Sequence, residues 1–276
     1  MSTEVDTAFI KAYEDQVHVA YQRKGSKLRN FVRTSTKTPG QDIIFPKIGK
    51  GAAKSKPRNG PVEPMNIGHD SKTVSLVDRY APEYIDKLDQ LKTNVDLQRA
   101  YAEAAALALG RETDSQITTA LDDVVTNTTS INRSAIVIGS LTDWVARLQN
   151  REVPTGDGNV FAAVSPMVWS TMMGLQQFAN SQWIGPDDLP FKTKMEGKYW
   201  NGVTWVTFTG LPGSATARKN YLWHRNAIGH GIAADVMTEI NYIPDRVAWL
   251  VNSMMSMGAV LVDNDGVEEL IVNENA

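Results

Sequence analysis

Cysteine is absent from this chain of 276 residues. Disulfides, thiolate metal sites and a cysteine nucleophile are therefore excluded together, which fits assembly in a reducing cytosol. Histidine is scarce: four residues leave few general bases and few zinc ligands. No run approaches the ~18 apolar residues of a membrane span, so no membrane partner is expected. The opening MSTEVDTAFIKAYED is acidic and lacks the apolar stretch of a signal peptide. At 42% hydrophobic the chain can bury one large or two modest cores. The expected class is soluble, mixed α and β.

What is present is charge sorted into blocks. Residues 22–58 hold eleven Lys or Arg, from Arg23 to Arg58, against the single acid Asp42, although the whole chain carries −3. Residues 78–123 hold ten acids against five bases, and residues 235–276 hold eight acids against Arg246 alone. Segregated charge of this kind calls for a partner: nucleic acid, another protein or a second copy. The β-rich phrase Gln41-Asp-Ile-Ile-Phe-Pro-Lys-Ile48 runs through the basic block, so the block is not a solvated tail.

The periodicities predict a helix over residues 5–21, where Phe9, Tyr13, Val17 and Tyr21 recur every four residues. Gly25 ends that pattern, and a basic, Ser/Thr-rich arm follows. Residues 41–80 read as two strands around a long tip. Ile43, Ile44, Phe45 and Ile48 lie on the outgoing strand; Thr73, Val74, Leu76 and Val77 lie on the return. The tip is dense in Gly and Pro, too long and polar for an ordinary hairpin turn. Such a ribbon is marginal alone and needs a surface to lie on.

From Asn94 to about Val125 the Ala-rich text predicts one long helix, capped by Thr93 and interrupted by Gly110. Further on, Ser140 is expected to cap a helix through Trp144 and Leu148. Val160–Val164 reads as a buried strand leading into a Ser165-Pro166 helix start. Asn201-Gly202 signals a hairpin, and residues 227–272 are β-dominated.

No catalytic constellation emerges, which argues against an enzyme, and no cofactor or metal is expected. GKGAAKSK lacks phosphate-loop spacing and a following helix, so it reads as a flexible basic loop tip. His224 and His230 have no third ligand at motif spacing and read as surface or interface histidines. The adjacent carboxylates Asp122-Asp123, Asp187-Asp188 and Glu268-Glu269 point in different directions, and read as helix ends, turns and solvated surface. Met254, Met255 and Met257 suggest core or broad contacts. Aromatics in the basic block are few, Phe31 and Phe45, so a base-stacking platform is disfavoured.

Five phrases stand in order: VHVAYQRKGSKLRNFVR (17–33), DKLDQLKTN (86–94), AAALALGRETDSQI (104–117), NVFAAVSPMVWSTMM (159–173) and VAWLVNSMMSMGAVLVDNDGVEELIV (247–272). Together they resemble the major capsid proteins of tailed bacteriophages, of the Hong Kong 97 fold type. The resemblance implies an α+β capsid fold in five regions. These are an N-terminal arm (1–40), an extended β-hairpin loop (41–85), and a long spine helix with the peripheral domain (86–130). An axial domain (131–234) follows, then peripheral-domain strands (235–276), the last strand returning to the axial sheet.

It also implies self-assembly, as hexamers and pentamers, into the icosahedral head of a double-stranded DNA phage, built in the host bacterial cytoplasm. A precursor shell around scaffolding protein would expand as DNA enters. The arm begins close to Met1, so the scaffolding protein is expected to be separate and no leading segment to be cleaved. A portal protein and packaged DNA are implied partners, and a decoration protein an optional one. On this footing Lys50, Lys54, Lys56 and Arg58 would lie across acidic surface on a neighbour. Lys27, Arg29 and Arg33 would tie subunits or face DNA, and Gly110 would let the spine helix bend. The rivals are an encapsulin-like protein-cargo shell of the same fold and a soluble DNA-binding protein using the basic arm.

Overall fold

A computed structural model describes residues 25–36, 42–92, 97–124, 127–179 and 197–276. The helix expected over 5–21, the Thr93 cap and Asp187-Asp188 lie outside these residues. In chain order the elements are β1 (Arg33–Ser35), β2 (Asp42–Ile48), β3 (His69–Ser75), β4 (Val77–Asp86), α1 (Lys87–Lys92) and α2 (Leu97–Asp122). Then follow β5 (Thr128–Asn132), α3 (Ile138–Asn150), β6 (Val160–Val164), α4 (Pro166–Met173) and α5 (Gln176–Ala179). The rest is strand: β7 (Gly197–Trp200), β8 (Val203–Thr207), β9 (Gly213–Ser214), β10 (Ala217–His224), β11 (Ile228–Ile243), β12 (Ala248–Leu261) and β13 (Val267–Asn273).

The chain divides into two compact units. The larger comprises residues 26–77, 112–233 and 256–276. Its centre is a mixed sheet in the order β5-β13-β10-β6-β8-β7, with β9 beside β10. Both faces are covered, and strand alternation shows it. Val160, Ala162 and Val164 of β6 join Leu222, Leu270 and the α3 residues Leu141, Trp144 and Leu148 in one core. Phe161 and Ala163 join Tyr221, Trp223, Val267 and the α2 residues Ile117 and Leu121 in the other. A strand covered on both faces reads as a continuous apolar run, hence VFAAV.

Local signals explain the joints. Ser165 Oγ accepts the Val168 amide and Pro166 opens α4, as a missing N–H costs nothing at the first helical position. Asn201 and Gly202 take left-handed φ values of 52° and 77° between the antiparallel β7 and β8, the turn an Asn-Gly pair favours. Ser140 is not the N-cap of α3. The helix starts earlier, at Ile138, and Ser140 Oγ accepts the Val137 amide at 2.9 Å from inside the first turn.

Among the described residues the smaller unit comprises Gly25, 78–92, 97–111 and 234–255. It contains most of β4, α1, the first part of α2 and the adjoining halves of β11 and β12, with strand order β4-β12-β11. Ile85, Leu109, Val251 and Met255 are buried, whereas Tyr80, Tyr84, Leu88, Met237, Ile240 and Tyr242 are exposed. Tyr84 carries the Arg246 guanidinium over its ring and Tyr242 the Lys87 ammonium. This unit leaves much apolar surface open.

Among the described residues the long helix α2 has 26 residues, about 39 Å at 1.5 Å rise per residue, and it ends at Asp122, before the expected Val125. Its far half is core through Ile117, Leu121 and, just beyond its end, Val124. Tyr101, in its first part, is exposed. Gly110 lies in unbroken helix, one residue before the last residue of the smaller unit's helical segment.

Candidate assembly surface

The hairpin β2–β3 pairs antiparallel from Asp42↔Ser75 to Ile48↔His69, and Gly49 N–H to Gly68 O closes it at 2.8 Å. Period-two alternation gives it two different faces. Ile43, Phe45 and Val74 are buried with Val262 in a small core of their own. Ile44 and Ile48, pointing the other way, are 62% and 66% exposed. So the ribbon does lie on a surface, and its inner face is seated on its own unit.

The seat is made by glycine. A Cβ on Gly229 would fall 2.8 Å from the Phe45 ring, and one on Gly258 would fall 2.5 Å from the Ser75 carbonyl oxygen. Only glycine lets the hairpin approach so closely. Arg33, in β1 parallel to the start of β11, stacks its guanidinium over Phe45 with 5.5 Å to the centroid. Lys47 Nζ adds an ion pair to Asp263 Oδ1 at 2.8 Å.

Beyond the seat the tip, residues 49–68, is almost wholly exposed. Lys50 Nζ meets Glu152 Oε2 at 2.7 Å and donates a hydrogen bond to the Arg151 carbonyl oxygen at 3.2 Å. The Glu152 hydrogen bond raises the Lys50 pKa, and the same bond lowers that of Glu152. Lys54 pairs with Glu63 across the tip at 3.3 Å; Lys56 and Arg58 are exposed. Lys47 and Lys50 thus meet carboxylates of their own chain, a contact the charge blocks alone did not reveal.

The root of the arm is held differently. Asp114, fully buried in α2, accepts Ser26 Oγ at 2.6 Å and the amides of Lys27 and Leu28 at 3.0 Å each. A carboxylate in a helix middle is costly unless it is satisfied, and here three donors converge on it. Lys27 is part of that anchor through its amide, and Arg29 opens the short 3-10 turn Arg29–Phe31 that follows. Sequence reading missed Asp114; the only signal was a charged residue among the apolar positions of a core-facing helix.

Two expectations are corrected. His224 and His230 are both buried, and they stand in different strands, at the end of β10 and in β11. His224 Nε2 lies 3.1 Å from Asp157 Oδ2. Glu268 and Glu269 are neither turn nor surface: both are buried within β13. Even-numbered residues of β13 face α3, so Glu268 meets Arg151 Nη1 at 2.8 Å and Arg147 at 3.7 Å. Odd-numbered ones face the end of α2, where Glu269 pairs with Lys219 at 2.9 Å. Lys219 also bonds Asp122, which accepts the Tyr221 hydroxyl at 2.8 Å. Burial and the Asp122 carboxylate push the Tyr221 pKa up. Among the described residues no cluster of His, Asp or Glu has the form of a metal site, and no helix is long and apolar enough to cross a membrane.

A two-faced sheet, a long helix and an exposed basic hairpin belong to the Hong Kong 97-type capsid fold. Solved phage shells match this chain, three of them as follows. The capsid of Cyanophage P-SCSP1u is 14% identical with a TM-score of 0.76, over 99% of this chain and 95% of that one. The head of Helicobacter pylori bacteriophage KHP40 is 10% identical with a TM-score of 0.79, over 99% and 97%. The Cyanophage Pam1 capsid is 14% identical with a TM-score of 0.75, over 99% and 97%. At such identities the likeness is one of fold. No curated protein sequence matches.

The chain belongs to the phage capsid protein family, whose model matches residues 5–274. Its role is that of a structural, non-enzymatic component of the virion.

Proposed function

We propose that this chain is the major capsid protein of a tailed double-stranded DNA phage. Copies gather as hexamers and pentamers into the icosahedral head, first as a precursor around a separate scaffolding protein and then as an expanded shell holding DNA. The observation that carries this is the family match over residues 5–274, joined to a surface that a lone copy leaves open. The outer hairpin face (Ile44, Ile48) and the strand unit (Tyr80, Tyr84, Met237, Tyr242) expose apolar groups that neighbouring copies would cover. Each such contact is weak, and a closed lattice makes many at once.

In this scheme the smaller unit corresponds to the peripheral domain and the sheet of the larger unit to the axial domain. The hairpin is the extended loop and α2 the spine helix. Lys54, Lys56 and Arg58 reach acidic surface on a neighbour, while Lys27, Arg29 and Arg33 tie adjacent subunits or face the genome. Gly110 is the point at which the spine helix bends. A portal protein joins at one vertex, and a decoration protein is an optional addition. The family match favours a genome over protein cargo. Electron microscopy and nucleic-acid content of particles purified from expressing cells, with and without the scaffolding partner, test the reading. Expanded particles that hold protein cargo and no DNA would contradict it.

A further inference from the structure

One residue has a backbone that its side chain does not favour. Helix α3 ends in two bonds, Glu152 N–H to Gln149 O at 2.8 Å and Val153 N–H to Leu148 O at 3.1 Å. That is the Schellman pattern, whose next residue after the cap is usually glycine because φ must be positive. Here the position holds Glu152 at φ 64°. A non-glycine residue in the left-handed region persists where something else is gained. What Glu152 gains is Lys50, the first cation of the hairpin tip, at 2.7 Å.

We infer that Glu152 is a docking point that stows the hairpin tip on its own chain, and that Lys50 exchanges it for a carboxylate of a second copy on assembly. The inference rests on the shell reading above for its second half only. Three features shape the device. The seat of Phe45 on Gly229 and the Lys47–Asp263 pair fix the root, so the root need not move. Lys50 is two residues beyond the last strand pair, Ile48↔His69, where the tip takes its direction. Both partners of the outer pair are largely exposed, 68% and 75% by side chain. An exposed ion pair is worth little. That weakness suits a latch that a neighbour's carboxylate must displace, because a strong one would hold the tip against the lattice.

The discriminating substitution is Glu152→Gly, which relieves the helix end while removing the carboxylate. In purified, unassembled full-length chain its thermal midpoint should equal or exceed that of the parent. The Gly49 amide, bonded to Gly68 O, should nonetheless exchange faster, and trypsin should cut within residues 50–58 faster. Both changes should be about two- to fivefold, the range one exposed pair permits. Lys50→Met should do the same without touching the helix end, and it decides the matter if Glu152→Gly fails to fold. The swapped pair Lys50→Glu with Glu152→Lys should restore slow exchange. The threshold concentration for particles should fall in Glu152→Gly. Exchange at Gly49 unchanged in both single variants, or not restored by the swap, would overturn the latch. Absence of particles from the parent chain together with its scaffolding partner would overturn the shell reading and leave the exchange result standing.

Discussion

The buried acids of β13 show how little room single residues have in a sheet covered on both faces. Glu268 is surrounded by α3 and paired with Arg151 and Arg147, and it also accepts the Thr129 hydroxyl at 2.9 Å. Breaking such a pair from one side strands the other charge, at about 3 kcal/mol. Glu268→Ala should therefore lower the unfolding free energy by about that much, read by chemical denaturation. Asp157 makes a pH prediction. Burial opposes its charge, but hydrogen bonds from Asn159 and His224 outweigh that and hold its pKa at about 2, below the ordinary 3.8. A depressed carboxylate contributes stability above its unfolded value and loses it as pH falls through the folded one. Stability should drop between about pH 4 and pH 2, and Asp157→Asn should flatten that part of the curve. In the sequence, Glu268-Glu269 looked like surface because adjacent side chains diverge. The flanking Val267 and Leu270-Ile-Val272 were the available sign that both faces of that strand are covered.

At the scale of elements, helix and strand signals carried most of the fold. The Ser165-Pro166 start, the Asn201-Gly202 turn, the VFAAV strand and the long α2 all follow from local chemistry. What local chemistry could not convey is where the hairpin rests. Its seat depends on Gly229 and Gly258, remote in sequence from Phe45 and Ser75, and remote contacts leave no periodic trace. Gly229→Val should push Phe45 off β11. We expect faster amide exchange through residues 42–48 and 69–75, with a cost of about 1–3 kcal/mol from overpacking. The spine helix offers another test. Gly110→Ala should add about 1 kcal/mol to its helical state and shift the balance between precursor and expanded shells. An unchanged expansion profile for that variant would remove Gly110 from the mechanism.

For the whole molecule, the separated charges and the open apolar faces point the same way, toward other copies of the chain. The sheet of the larger unit has a core and a buried, paired carboxylate on each face. The smaller one exposes tyrosines, methionine and isoleucine along its strands. The charge blocks and the ordered phrases made the family legible before any coordinates. The intrachain partners of Lys47 and Lys50 were not legible, since opposite charges far apart in sequence give no hint of which pair meets. Sedimentation of the purified full-length chain with its scaffolding partner, followed by electron microscopy of the fast fraction, weighs the central claim most directly. Closed shells of megadalton mass, built from hexamers and pentamers, are the predicted result; a stable monomer that never exceeds its own 30.4 kDa would contradict it.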